Sequence, residues 1–385
     1  MLQKARLIDS DNINFEIIDF RPSLSKYVIR QSSPQNSLIG FSFLFALSKI
    51  YHLATSLRNT AFRKKFIKVK KAPCKVISIG NIAVGGTGKT PFACFLAQKL
   101  KDEGLKVAIL SRGYGRSGSL KICLVSDGEK ILSSARDSGD EPYMISQKLD
   151  GVPVIVGKNR YQCSLFAKKK FDIDIVILDD GFQHQYIHRN INLLVINANN
   201  PFGNGQLLPC GILREPIENI KRANLILINK IQNNLPLDPI YNTIKKYNPN
   251  VAIFKATYVP KLLIPLDNEG KNQKIDFLKG KNVLAFSGIG DPQSFIRCLK
   301  NEGINIKTHL IFSDHHWFSK KDIETIIRHA SEADCIITTD KDRIKIKKYL
   351  HLFPMPIFAL SMGLNIIDGV EKLKKICLGL LYHQK

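Results

Sequence analysis

A glycine-rich turn between an apolar run and an amphipathic stretch constrains this chain more than any other feature. The turn, residues 83–90, reads AVGGTGKT and follows the apolar residues 76–79. It matches the phosphate-binding loop G-x-x-x-x-G-K-[ST] except at its first position, where Ala83 replaces glycine. Because such a loop joins a parallel strand to a helix, it predicts a doubly wound α/β domain that binds a nucleoside triphosphate.

The residues of this loop have different chemical tasks. Backbone N–H groups close around phosphate oxygens, and the helix that follows presents its positive end to the same anion. The Lys89 ammonium would reach the β- and γ-phosphates and take part in catalysis, while the Thr90 hydroxyl would ligate Mg²⁺. The predicted nucleotide-binding residues are Gly85, Gly86, Thr87, Gly88, Lys89 and Thr90.

A second apolar run ends in two aspartates. Residues 175–178 are continuously apolar, which is typical of a parallel strand covered on both faces. Asp179 and Asp180 follow at its carboxyl end, where ligands bind in such sheets. We therefore predict that Thr90, Asp179 and Asp180 form a Mg²⁺ site. The alternative is that the two aspartates only cap a turn.

The residues after a later strand favour ATP over GTP. GTPases carry an N-K-x-D element whose aspartate binds guanine. Here Asn229 and Lys230 follow the apolar residues 225–228, but Gln232 stands in the place of the aspartate. The sequence therefore predicts ATP as the phosphate donor.

Two polar segments offer acid–base chemistry. Asp140 lies in the motif GDEP, and the segment 312–319, FSDHHWFS, contains Asp314, His315 and His316. A histidine hydrogen-bonded to a carboxylate is held in one tautomer and can act as a base. By residue type alone, each of these groups is more often an ordinary surface side chain. Zinc binding by the two histidines is a weaker hypothesis, because cysteine or carboxylate ligands at suitable spacing are missing.

Residues 38–57 form an apolar stretch of membrane-relevant length in which Lys49 is the only charged residue. The basic segment behind it, residues 58–75, contains eight Lys or Arg residues and no acidic residue, and it would be attracted to an anionic leaflet. We predict a membrane-associated helix and a catalytic body on the cytoplasmic side. A buried helix of a soluble domain is the alternative, which Lys49 and His52 keep open.

The composition fits a chain of two globular domains with anionic partners. The 385 residues exceed what one core usually holds, and the formal net charge is +24. Eight dispersed cysteines without a C-x-x-C pair indicate a reducing compartment, and the first 30 residues do not read as a secretory signal. The predicted division is an extension (1–36), the membrane helix with the basic segment (37–75), a P-loop kinase domain (76–259) and a smaller α/β domain (260–385).

From about residue 37 to residue 345 the chain closely resembles the tetraacyldisaccharide 4′-kinases of the lipid A pathway of Gram-negative bacteria. The motifs that carry this resemblance are collinear: GN-x-x-VGGTGKTP, SRGYGR, GDEP, VGKNR, LDDGFQH, NPFGNG, LREP, FSGIGDP and F-x-DHH-x-F.

The resemblance implies phosphorylation by ATP and Mg²⁺ of the 4′-hydroxyl of a tetraacylated glucosamine disaccharide 1-phosphate, giving lipid IVA at the cytoplasmic face of the inner membrane. It also implies that Asp140 acts as the base together with His315, the latter supplied by the second domain. Arg112, Asn159, Arg160, Gln183, His184 and Arg214 are assigned less securely to the substrate cleft. No nucleic acid is expected as a partner, and no obligate protein partner is evident from the sequence.

Two other functions are compatible with the loop and the charge. The first is a P-loop ATPase that binds nucleic acid, although the chain lacks an evident module of interleaved aromatic and basic residues. The second is a membrane-anchored nucleotide switch whose hydrolysis gates partner binding.

Overall fold

The computed structural model describes residues 3–7, 15–20, 38–231, 235–266 and 270–382. The strands, numbered along the chain, are β1 (Gln3–Leu7), β2 (Phe15–Asp19), β3 (Lys75–Gly80), β4 (Val107–Ser111), β5 (Ile122–Ser126), β6 (Val154–Gly157), β7 (Ile175–Asp179), β8 (Ile191–Asn197), β9 (Leu225–Asn229), β10 (Ala252–Pro265), β11 (Asn282–Ser287), β12 (Asn305–Ile311), β13 (Cys335–Thr339) and β14 (Ile357–Ile366).

The α-helices are α1 (Leu38–Arg63), α2 (Lys89–Asp102), α3 (Ala135–Ser138), α4 (Asp140–Lys148), α5 (Arg160–Phe171), α6 (Asp238–Tyr247), α7 (Pro292–Asn301), α8 (Lys320–His329), α9 (Asp340–Ile346) and α10 (Val370–Tyr382). Short 3₁₀ helices lie at Ile217–Arg222, Ile275–Leu278 and Lys347–Leu352.

The chain divides into two compact units. The larger unit comprises residues 31–258 and 364–385, and the smaller unit comprises residues 1–30 and 259–363. The predicted boundary near residue 260 therefore falls at a division within β10. The predicted ranges 1–36 and 260–385 differ from this division, because the smaller unit takes residues from the start of the chain and the last residues belong to the larger unit.

The larger unit is built on a sheet with the strand order β10-β9-β8-β3-β7-β4-β6-β5. All of its neighbouring strands run parallel except β5, which is antiparallel to β6. The five residues of β7 and those of β9 are all buried, as expected for strands covered on both faces. The predicted α/β class with a mostly parallel sheet is thus confirmed, with β3 and β7 as adjacent strands.

Helix α10 belongs to the larger unit, where its apolar face packs against the sheet. Leu373, Cys377 and Leu381 lie four residues apart and are fully buried in one cluster with Ile191 and Leu193 of β8. Ile366 at the end of β14 joins the same cluster. Helix α10 therefore covers part of the hydrophobic core on one face of the sheet.

The smaller unit has its own sheet, with the order β1-β2-β12-β11-β13-β14. Strand β2 pairs parallel to β12 and antiparallel to β1, so described residues of the predicted N-terminal extension form a hairpin at the sheet edge. After β13 the chain continues directly into α9, where the Thr339 hydroxyl accepts the Asp342 N–H and caps the helix.

Helix α1 is longer than its predicted apolar core and is attached to the larger unit along one stripe. Ser48, Thr55 and Phe62, spaced seven residues apart, are buried, and the Ser48 hydroxyl donates to the Leu207 carbonyl at 2.8 Å. On other faces Phe43 and Ile50 are more than 60% exposed. Among the described residues, none of the helices combines the length and the apolarity that crossing a bilayer requires.

Candidate active site

The glycine loop is shaped by three side chains from neighbouring elements. It leaves β3, and Gly88 adopts a left-handed backbone with φ of 88° just before α2. The Asn81 amide donates to the Thr87 hydroxyl at 3.1 Å, and the Asn229 amide at the end of β9 donates to the Thr87 carbonyl at 3.0 Å. The Tyr258 hydroxyl donates to the Gly88 carbonyl at 3.4 Å. Two of these bonds hold loop carbonyls and the third holds the Thr87 hydroxyl, so together they fix the course of the loop.

The two predicted nucleotide elements meet at the ends of β3 and β7. The Thr90 hydroxyl lies 3.2 and 3.3 Å from the two carboxylate oxygens of Asp179. Strand pairing places Ile79 of β3 directly beside Asp179 of β7, which explains why the loop and the aspartate converge. A hydroxyl beside a carboxylate is an oxygen-rich position of the kind that Mg²⁺ prefers.

The Asp179 carboxyl is buried deeply enough to change its chemistry. Burial raises its pKa to about 7, with further contributions from the nearby Glu141 and Asp180 carboxylates, against the opposing effects of Lys89 and Thr90. A buried carboxylate without a full countercharge is costly. A divalent cation at this position would supply that charge, and so the residues present fit the predicted Mg²⁺ site.

Asp180 is held differently from its neighbour. Its carboxylate accepts two hydrogen bonds from Arg214 Nη1, at 2.9 and 3.0 Å, and lies 3.7 Å from the Lys89 ammonium. Although burial opposes the effect, Lys89 and Arg214 together lower the pKa of Asp180. Asp180 also has a positive φ of 52°, a conformation that non-glycine residues adopt rarely and that is frequent at functional sites. The pair thus consists of one ion-paired and one buried carboxylate.

Asp140 lies in the same unit, as the first residue of α4. It follows Gly139, whose φ of 97° favours glycine, and its side chain is 4% exposed. The Glu141 N–H donates to an Asp140 carboxylate oxygen at 3.0 Å. Its neighbour Glu141 acts electrostatically on Asp179, so the start of α4 and the end of β7 lie in one region of the larger unit.

His315 lies in the smaller unit, on the connection between β12 and α8. Its backbone has a positive φ of 60°, another strained non-glycine position. Lys341 of α9 places its ammonium 3.3 Å from His315 Nε2 and 3.0 Å from an Asp314 carboxylate oxygen. Because an ammonium only donates, Nε2 is the acceptor in this contact. The neighbouring His316 pairs instead with Asp322, at 3.1 Å.

The less securely assigned residues of the motifs have mixed positions. Arg160 is buried and bonds the Gly157 carbonyl, while Asn159 caps α5 by accepting the Gln162 N–H. The Gln183 amide donates to the Asn81 carbonyl at 2.8 Å, below the glycine loop. These contacts give the three side chains structural tasks in the larger unit.

His184 lies among positive charges. Burial lowers its pKa to about 4, and the nearby guanidinium groups of Arg160, Arg189 and Arg112 act in the same direction. The ring is therefore neutral over the physiological pH range.

Several contributors were not predicted as parts of the site. Asn229 was considered only as part of a guanine-binding element, whereas it supports the loop; Gln232 lies outside the described residues. The sequence did not point to Tyr258 or Lys341, because the residues that they contact, Gly88 and His315, are distant from them along the chain. Arg214 stood in a recognised motif, but its pairing with Asp180 depends on the tertiary fold.

The parallel sheet, the glycine loop and the paired aspartates define a P-loop nucleotide-binding protein with the layout of a phosphotransferase. Comparison with known families then gives the particular one. The family model described as tetraacyldisaccharide-1-P 4′-kinase, LpxK, matches residues 41–379. The chain belongs to this family of kinases.

Individual relatives agree along nearly the whole chain. The tetraacyldisaccharide 4′-kinase of Halothermothrix orenii is 37% identical over 93% of this chain and all of its own length. That of Syntrophus aciditrophicus is 36% identical over 86% of this chain and 91% of its own. A crystal structure of LpxK from Aquifex aeolicus in complex with ATP is 35% identical, covers 89% of this chain and 99% of its own, and has a TM-score of 0.69.

The loop geometry predicts different effects for two glycine substitutions. A Cβ atom at Gly88 would meet the Asn229 amide nitrogen at 2.2 Å and the Tyr258 hydroxyl at 2.6 Å, whereas one at Gly85 would meet nothing within 4 Å. Both positions have positive φ, so each substitution costs about 1–2 kcal/mol of strain. We expect Gly88→Ala to weaken ATP binding by roughly tenfold more than Gly85→Ala, measured by calorimetry. Equal affinities in the two variants would contradict the supporting role of Asn229 and Tyr258.

The environment of His184 predicts a titration far below that of an ordinary histidine. NMR of its ring protons, assigned with His184→Gln, should give a midpoint near pH 4. Because the folded-state pKa is depressed, the contribution to stability is complete above about pH 6.5 and is lost as the pH falls toward 4. The unfolding free energy of His184→Gln should therefore decline less over this range. A midpoint at pH 6 or above would show that the arginines do not act on the ring.

Proposed function

We propose that this chain transfers the γ-phosphate of ATP to the 4′-hydroxyl of a tetraacylated glucosamine disaccharide 1-phosphate, giving lipid IVA. The observation that carries the proposal is the meeting of Lys89 with Asp180 and of Thr90 with Asp179, on a chain whose family acts as a kinase on this substrate. Phosphoryl transfer asks the protein mainly for alignment and charge neutralisation, which this arrangement provides.

The residues of the larger unit then have separate roles. Lys89 neutralises charge on the β- and γ-phosphates, and the loop N–H groups hold their oxygens. Thr90 and Asp179 would hold Mg²⁺, with Asp180 orienting Lys89 and Arg214 around it. The ion, when bound, neutralises phosphate charge and orients the triphosphate.

Asp140 is proposed as the base. It accepts the proton of the 4′-hydroxyl as the hydroxyl oxygen bonds to the γ-phosphorus, while the bond from that phosphorus to the bridging oxygen breaks and ADP leaves. His315 is proposed as its helper in the smaller unit, and the contact with Lys341 supports a defined orientation of the ring. Both roles rest on the family resemblance of the GDEP and DHH motifs.

The exposed face of α1 supports a place on the cytoplasmic face of the bacterial inner membrane. Phe43, Ile50 and Leu57 recur every seven residues and, with Leu53, are each more than 60% exposed. The following basic segment exposes Phe66 and five lysines: Lys64, Lys65, Lys68, Lys70 and Lys71. An apolar helix face beside a cationic strip is suited to the boundary of an anionic leaflet, where the acylated substrate also resides.

A labelled-phosphate assay tests the activity and the base together. Purified protein, γ-labelled ATP, Mg²⁺ and the tetraacyl disaccharide 1-phosphate in detergent should place label in the lipid. Asp140→Asn should lower kcat by about 10²–10⁴-fold, because the base is lost while the site keeps its shape. The exposed Asp150→Asn is the matched control. Hydrolysis of ATP without labelled lipid would instead support a nucleotide switch, and unchanged kcat in Asp140→Asn would remove this residue from the base role.

Vesicle flotation tests the membrane face of α1. The double variant Ile50→Glu/Leu53→Glu places two carboxylates on the exposed apolar face and should reduce binding to vesicles containing phosphatidylglycerol by more than tenfold, as each buried side chain contributes about 1.5–3 kcal/mol. Leu132→Glu, at another exposed leucine of the larger unit, is the control. Lys49→Ala should weaken binding less. Equal flotation of the double variant and the control would show that α1 does not enter the lipid.

A further inference from the structure

A cavity of about 420 Å³ opens beside the C-terminal part of α1, and the active-site roles described above do not use it. We name it the arginine pocket after the cationic residues that line it: Arg63, Arg189, Lys221 and Arg222, together with His188. Glu218 is the carboxylate among its lining residues. Because Arg222 is paired with the buried Glu215, the remaining cations Arg63, Arg189 and Lys221 face the one carboxylate of Glu218, an excess that favours an anionic ligand.

The buried carboxylate of Glu215, close to the pocket, already has its own partners. Glu215 is fully buried and accepts from Arg222 at 2.6 Å and from the Asn219 amide at 2.9 Å, with Arg58 at 3.7 Å. Glu215 therefore anchors Arg222 and Arg58 and cannot also neutralise the pocket. Within the described part of the chain, Nε and Nη1 of Arg222 are buried without a hydrogen-bond partner.

Arg189, another arginine of the pocket, lies close to Arg222. Burial lowers the pKa of Arg189 to about 10, and the repulsion from Arg222 acts in the same direction. Arg189 itself donates from Nη1 to the Phe182 carbonyl at 3.0 Å, and the Arg222 guanidinium stacks on the Phe182 ring at 4.5 Å. An anion beside the two guanidinium groups would relieve the repulsion between them.

The position of the pocket relates it to the proposed reaction. Phe182, which contacts the guanidinium groups of both Arg189 and Arg222, is two residues from Asp180, a chain length of at most about 7 Å. The pocket is also lined by Ser56 and Thr60 of α1, the helix whose exposed apolar face we assign to the membrane.

We infer that the arginine pocket binds the anomeric phosphate of the acceptor, so that the phosphomonoester at one end of the disaccharide positions the 4′-hydroxyl at the other. This inference rests on the proposed function, since it names how that substrate is held. Arg189 and Arg222 contact the phosphate oxygens, and Lys221 adds charge at the rim. The acceptor is thereby distinguished from neutral glycolipids that have the same acyl chains.

The test compares two acceptors, the tetraacyl disaccharide 1-phosphate and the same disaccharide without the phosphate, in neutral detergent micelles. Wild-type protein should bind the phosphorylated acceptor more tightly in the absence of ATP and should use it with a higher kcat/KM. Arg189→Gln should reduce this preference roughly tenfold to a hundredfold, the loss expected for a hydrogen bond to a charged group. Lys221→Gln, at an exposed side chain whose loss does not disturb the core, should reduce it in the same direction by less. Lys169→Gln, an exposed lysine on α5, should keep it.

The outcomes separate this inference from the proposed function. If wild type labels neither acceptor yet binds the phosphorylated one through Arg189, the activity fails and the pocket stands. If it labels both with equal kcat/KM, or if Arg189→Gln and Lys221→Gln keep the full preference, the inference is overturned. A phospholipid headgroup is the other source of phosphate: a loss of vesicle binding in Arg189→Gln with an unchanged acceptor preference would assign the pocket to it and also overturn the inference.

Discussion

The site depends on a carboxylate that the fold forces out of water. Asp179 ends a strand whose residues are all buried, and register places it beside the strand that leads into the glycine loop. Its only described hydrogen bonds to another side chain come from Thr90, the second residue of α2. Since the sheet, the loop and the helix must all be formed to bring these groups together, the site exists only in the complete larger unit.

The neighbouring Asp180 shows how a small change in backbone separates two chemically identical groups. Its left-handed conformation turns its carboxylate toward Lys89 and Arg214, while Asp179 stays in the strand direction. Burial raises the pKa of one carboxyl, and two cations lower the pKa of the other. Adjacent residues with opposite environments are a common arrangement where a cation and a phosphate chain have to be accommodated side by side.

Much of the nucleotide site could be predicted from the sequence, because its elements are local. The apolar runs 76–79 and 175–178 became β3 and β7, and the residues named for the loop and the metal lie together at their ends. Supporting side chains that are distant along the chain could not be predicted: Tyr258 is 170 residues from the carbonyl it bonds, and Lys341 on α9 is 26 residues from His315.

The path of the chain through β10 and β14 has a consequence for its ends. Apart from residues 1–30, the smaller unit is formed by residues 259–363, which are inserted into the larger unit within β10 and β14. The final helix then covers β8 with Leu373, Cys377 and Leu381. A chain cut short after residue 363 would keep β11, β12, β13 and most of β14 but would remove the apolar helix that covers one face of the catalytic sheet, so the C-terminal residues matter most to the part that binds nucleotide.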